Sequence, residues 1–546
     1  MKSDFLRRQI KLPTFASFLR WLFIKLPTLG RFVRWLFSWR SVRAALFALL
    51  MMATLIALFY VVENWRGRYA WKQYRAAAEQ KGAQFDFNAF IPPPVPDEQN
   101  FAMTPLLRPL FDYEPGTHPI VWRDTNGWQR LMKIGAYRRS GYEASVTLGD
   151  WTQGQRIDLE RWQGYYRNEL SKTNQTRGKK NRVEPPPVLK LEDIFPTTPQ
   201  RQSPWEDVLL ALTKFDAEMG EIELASQRPH SRFPVHYHEG ISTPLAHLAK
   251  LRAFAMMFQL RAAAELMATN TGAAFADLQT IFRLADALKT EPFIISQLVR
   301  VKLNEQGLHT LWEGMCDHRW SEPQLAEVQK RIASLDLESE FTHAFVSMAP
   351  FEGLISEQIL RNRAAYLKQW ANTFPGIQNY ETQFYLRYAP SGWFYQNEIV
   401  RIRRIDGIVA SLQKTKASGV LDPIRLRPVD QSKMYERLVD FPDGFLTNIT
   451  SQLPHAHMSL KLAEVACALE RFHLAHQTYP ETLAELMPRL IAKLPNDFMD
   501  GQPLRYQRLN EHGFKLYSIG LNLKDDDGTF PAKDSAATGD WVWEIR

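Results

Sequence analysis

The sequence predicts a mainly α protein: a single transmembrane helix, a large extracytoplasmic helical bundle or helix-hairpin array, and a small C-terminal α+β module. Three observations carry that expectation. Residues 44–62 read AALFALLMMATLIALFYVV, nineteen positions without a charge. Residues 204–370 repeat apolar side chains at helical spacing. Near the end of the chain, residues 514–519 and 541–545 change to a period of two, which suits strands.

The apolar run is a membrane span. At about 1.5 Å of rise per residue it reaches about 28 Å, enough to cross a hydrocarbon core of about 30 Å with every backbone hydrogen bond satisfied internally. It exceeds the apolar stretch of a cleaved signal peptide, and the bulky Val61-Val62-Glu63-Asn64-Trp65 after it offers no small-residue cleavage site, so it reads as a signal anchor. Residues 1–43 hold ten Lys or Arg against Asp4 alone. This bias places the N-terminus in the cytoplasm and the bulk of the chain outside it, in an inner (cytoplasmic) membrane. Of the formal charge of +8, the leader alone carries +9, which leaves the rest at about −1. The basic character therefore belongs to a membrane-proximal segment facing the lipid bilayer and gives no footprint for nucleic acid.

Within the leader, LPTFASFLRWLF at 12–23 and LPTLGRFVRWLF at 26–37 are copies of one amphipathic pattern. Pro13 and Pro27 stand at helix starts, so two short interfacial helices are expected there. After the span a helix over Trp65 to Ala83 is expected, then the extended IPPPVPDEQN of 91–100 as a stalk or a strap. A further helix is expected from Trp151 to Leu170, followed by an exposed polar linker at 171–187. Apolar stripes at Leu251, Phe254, Ala255, Phe258 and Ala262, at Phe275, Leu278, Phe282, Ala285 and Leu288, and at Val301, Leu308, Leu311 and Trp312 mark the helical body, with Gly272 and Pro292 between them. The chain so divides into a leader (1–43), the span (44–62), a stalk and mixed region (63–203), a helical domain (204–450) and a C-terminal module (451–546).

Signals of catalysis are sparse, and no catalytic residue is identified. There is no Gly-rich phosphate loop, nucleophile elbow, dinucleotide fingerprint or HExxH. His236-Tyr237-His238-Glu239 is the densest histidine group, and His236 and His238, two apart on an extended segment, are the candidate zinc ligands. His473 falls near the apolar stripe of the C-terminal helix and reads as a packed side chain. Cys316 and Cys467 are too few for a disulfide framework.

In the last ninety or so residues a longer pattern emerges. A helix striped by Leu462, Val465, Ala466, Leu469 and Phe472 is followed by Tyr479-Pro480, Leu494-Pro495-Asn496-Asp497-Phe498, Gly501, Tyr506, Leu516-Tyr517-Ser518-Ile519-Gly520, an acidic loop, and Gly539-Asp540-Trp541. This order resembles the C-terminal domain of type II secretion major pseudopilins. The resemblance implies a helix on a small sheet with a calcium ion in the final loop, with Asp525, Asp526, Asp527 and Asp540 as ligands. Asn522 stands where the family usually has an acid. The chain also lacks a processed prepilin N-terminus leading into an apolar helix, and several hundred residues separate anchor from module. The functional expectation is a single-pass envelope protein that binds other envelope or secretion proteins as a scaffold. The alternative is an envelope enzyme such as a metal-dependent hydrolase.

Overall fold

The computed structural model describes residues 38–117, 120–134, 146–169, 195–373, 380–422, 435, 443–531 and 539–546. The two leader repeats and the linker at 171–187 lie outside the described residues. The first helix, α1 (Trp39–Gln80), begins at Ser38, whose side chain accepts from the Ser41 N–H at 3.2 Å. It runs without a break through the apolar stretch and the helix expected after it. Its apolar window is wholly exposed, and among the described residues it is the one helix long and apolar enough to cross a membrane.

Four short helices follow, α2 (Thr125–Ile134), α3 (Leu159–Tyr166), α4 (Pro204–Leu212) and α5 (Asp216–Ala225). The helix expected over Trp151 to Leu170 is only partly present. Trp151–Gln153 form a single tight turn ended by Gly154 at φ 63, and α3 starts eight residues after Trp151, capped by Asp158. Trp151 is drawn instead toward the C-terminal sheet, where its ring lies 4.8 Å from that of Trp543. The proline-rich segment is strapped to the body: the Pro92 carbonyl accepts from Arg232 Nε at 2.8 Å, and the Asn100 side chain bonds the Arg232 backbone at both its N–H and its carbonyl.

The body is built on α6 (Ala246–Met267), α7 (Thr271–Asp286) and α8 (Ile294–Cys316), joined by short connections. All three expected stripes are buried, Phe275 only partly. The first break falls just before Gly272, at Thr269 (φ 62) and Asn270, whose side chain caps α7. Next come α9 (Glu322–Ala333), α10 (Leu337–Arg361), α11 (Arg363–Thr373), α12 (Tyr380–Tyr388), α13 (Ser391–Ser418) and α14 (Asp443–His476). Pro350 lies inside α10 and Pro454 inside α14. An interior proline removes one ladder bond at a cost of about 3 kcal/mol. Both prolines are buried, and the packing of the long helices outweighs that local penalty.

Three antiparallel strands close the chain in the order β1 (Arg505–Asn510), β2 (Gly513–Ser518), β3 (Trp541–Ile545). The period-two pattern marks β2 and β3. It does not mark β1, a mostly polar edge strand in which Tyr506 packs against the core. β3 is buried along its whole length, because α14 and the Trp151 turn pack on it and Trp312 Nε1 of α8 donates to the Glu544 carbonyl at 2.9 Å. The sheet, α14 and the later body helices share one apolar core.

α1 is locked to that body through α13, which runs beside it in the same direction. Asn64 Oδ1 accepts from the Ser391 hydroxyl (2.8 Å) and the Gly392 N–H (3.0 Å), so a side chain of α1 caps the start of α13. Trp393 Nε1 donates to Glu63 at 2.9 Å, and Tyr74 donates to Asp406 at 3.1 Å. At the crossing Gly67 meets Gly392, and a Cβ on Gly67 would lie 2.0 Å from the Gly392 carbonyl oxygen. Alanine in a helix interior normally gains about 1 kcal/mol over glycine, whereas overpacking costs about 1–3 kcal/mol. Gly67→Ala is therefore expected to lower the melting temperature of the full-length protein in detergent and to make 380–422 more sensitive to protease. A raised melting temperature would contradict the close crossing.

Candidate functional site

Around the C-terminal helix end, three segments bring histidines together. His318 follows α8, at the end of a helix-stopping turn in which it adopts φ 51 and the Arg319 N–H reaches the Gly314 carbonyl at 2.8 Å. Glycine is the usual residue at such a left-handed stop. His473 lies in the last turn of α14, and His512 lies in the turn between β1 and β2. Their candidate ligand nitrogens all fall within 4.8 Å of one another. The rings of His318 and His473 stack at 4.3 Å, and His473 Nε2 is 3.1 Å from His512 Nδ1.

Behind them sits Glu470, fully buried. One carboxylate oxygen meets His318 Nδ1 at 2.7 Å, and the other accepts from the Tyr479 hydroxyl at 2.5 Å. The hydrogen bond to Glu470 holds the His318 imidazolium pKa above its ordinary value. Burial, together with the neighbouring His318, pushes His473 below it. His473 is 4% exposed and its Nδ1 has no hydrogen-bond partner. The helical stripe puts His473 on the packed face of its helix, where it is, but gives no sign of His318 or His512. Nothing local marks those two, since 155 and 39 residues separate them from His473.

The acidic loop is ordered by its own backbone. Asp540, fully buried, accepts with Oδ2 from the N–H groups of Asp526 (3.0 Å) and Gly528 (2.8 Å), while its Oδ1 has no partner. Burial raises its carboxyl pKa. Asp525 accepts from Tyr517 and from the Asp527 N–H, and Asp526 accepts from Asn522 Nδ2. Upstream, Asp497 organises the module: it is fully buried and accepts from the Met499 and Ile519 N–H groups, the Ser518 hydroxyl and Arg505.

His236 and His238 stack at 5.7 Å, with Glu239 at 3.4 Å from His236 Nδ1 and Tyr113 over the His236 ring. Among the described residues no third histidine, cysteine or carboxylate completes a ligand-like group with this pair. Neighbouring His247 is buried against Phe233 and bonded to Glu291 at 2.7 Å. Cys316 and Cys467 are free thiols, and burial pushes the Cys316 thiol up to about 12.

A cavity of about 400 Å³ lies where the body meets α1, lined by Arg68, Trp71 and Arg75 of α1 together with Phe87, Glu357 and Glu398. Glu398 is buried there, and burial with nearby Glu352 raises its carboxyl to about 8 from an ordinary 4.5. Between those two values the folded chain holds a proton that the unfolded chain has lost, so stability falls as pH rises through this window and levels off above about pH 8. Glu398→Gln is expected to flatten that slope and to stabilise the protein most at pH 8 and above. Parallel pH profiles of chemical denaturation for the two proteins check it; identical slopes would refute a buried, protonated Glu398.

No protein-family model, curated protein or solved structure matches the chain.

Proposed function

We propose that this chain is a single-pass protein of the bacterial inner membrane, N-terminus in the cytoplasm, whose extracytoplasmic body is a scaffold for other envelope proteins. One observation carries this reading: α1 passes from its exposed apolar stretch into the body as an unbroken helix and is fastened there by the Asn64 cap and the Gly67–Gly392 crossing. A body joined to its anchor in this way holds a set orientation to the membrane plane. A scaffold needs that, whereas an enzyme acting on diffusing substrates works equally well on a loose tether. The charge bias of residues 1–43 supports the orientation.

The likeness of the tail to major pseudopilins extends the proposal to secretion or pilus-type machinery as the partner. Crosslinking intact cells with a membrane-impermeant reagent, followed by mass spectrometry, is expected to join residues of 455–546 to envelope subunits of that kind. Recovery of the chain alone, or crosslinks confined to residues 1–43, would count against the reading.

Calcium belongs to the same proposal. The unpartnered Asp540 oxygen suits a cation, while Asp525 and Asp526 are engaged within their own loop. Asp525, Asp526, Asp527 and Asp540 would hold the ion, which would supply positive charge to a turn crowded with carboxylates. Removing calcium with a chelator is expected to lower the melting temperature of the full-length protein in detergent, and calcium to restore it. An unchanged melting curve would remove calcium from the account.

A further inference from the structure

We propose that His318, His473 and His512 bind one divalent transition-metal ion of the zinc class, clipping the β1–β2 turn to the ends of α8 and α14. This site is independent of the scaffold reading and of calcium, because it rests on different residues and a different kind of ligand. Neutral imidazole nitrogen suits zinc and its neighbours in the first transition series, whereas calcium takes oxygen.

The geometry is that of ligands already gathered. Two nitrogens at about 2.0–2.1 Å from a tetrahedral zinc ion lie about 3.3 Å apart. His473 Nε2 and His512 Nδ1 are 3.1 Å apart. Without a metal, two imidazole nitrogens at that distance need a shared proton between them. A metal ion accepts both lone pairs, and the proton moves to the other ring nitrogen of its own imidazole, which stays neutral.

Support from behind the rings has the form found around metal-bound histidines. A ligating imidazole usually gives its other ring N–H to a carboxylate, which fixes its orientation and strengthens it as a donor. Glu470 meets His318 Nδ1 in this way, leaving Nε2 for the ion, and Tyr479 holds Glu470 in turn. The cluster also places a histidine at φ 51 in a turn that favours glycine, and it buries an imidazole whose Nδ1 lacks a partner. Metal binding through Nε2 would offset the first of these costs and leaves His473 Nδ1 as it is. Three ligands leave a fourth position, and His512 is exposed, so that position faces water.

The test uses the full-length protein in detergent, stripped of metal and then dialysed against zinc or cobalt. One equivalent of metal is expected in the wild type, with the visible absorption of tetrahedral cobalt, and none above background in His512→Ala. His512 lies in an exposed turn, so this substitution leaves the core intact, and circular dichroism checks that it does. Zinc is expected to raise the melting temperature of the wild type and not of the variant. Glu470→Gln is expected to keep the stoichiometry while weakening affinity about 10–100-fold. Equal metal content in wild type and His512→Ala, or no bound metal in either, would overturn the site.

Discussion

The rest of the structure depends on α1 being continuous. In lipid, a backbone N–H or C=O without a partner costs several kcal/mol, so a span has to remain helical across the apolar layer. Here the helix does not end with the apolar stretch, and the same hydrogen-bond ladder runs on to Gln80. Its emerging turns then serve as a packing surface. Asn64 caps a body helix, Glu63 receives the Trp393 indole, and two glycines let the backbones approach more closely than any side chain would allow. The helix that carries the apolar stretch is thus structurally a member of the fold.

From α13 this constraint passes inward. α13 packs on α10, α10 on α8, and α8 on α14, while Trp312 of α8 bonds the Glu544 carbonyl of the buried β3. β3 consequently has no free surface, while β1 stays at the exposed edge of the sheet. β3 is covered on both faces, and Trp151, more than three hundred residues earlier in the chain, fills part of that cover. A module that reads as separate in the sequence therefore shares its apolar core with the body, and the histidine cluster lies on the seam between them.

The buried polar groups fall into two kinds. Asp497 is satisfied on every side and organises the turns around it, as buried polar networks do when all their members are paired. His473 and Asp540 each leave one buried side-chain atom without a partner, and these two and Glu398 carry burial-shifted pKa values. Unsatisfied buried groups are costly, and at the histidine cluster and the acidic loop the unpartnered atom lies beside other titratable side chains.

By itself, the sequence determined the features that depend on neighbours along the chain. Nineteen uncharged residues define the apolar stretch, and the stripes of α6, α7 and α8 lie on the buried faces because a helix of 3.6 residues per turn puts those positions on one side. It placed Asp525, Asp526, Asp527 and Asp540 in one loop, and His236 beside His238, because those residues are close in sequence or carried by a motif. Only the tertiary structure decided the features that depend on distant partners. It ran α14 through Pro454, added the polar edge strand β1 and ended the Trp151 turn early. It also gathered His318, His473 and His512 from three elements. None of these has a periodic signal, because the energy that selects each comes from surfaces brought together after the local helices and strands are set.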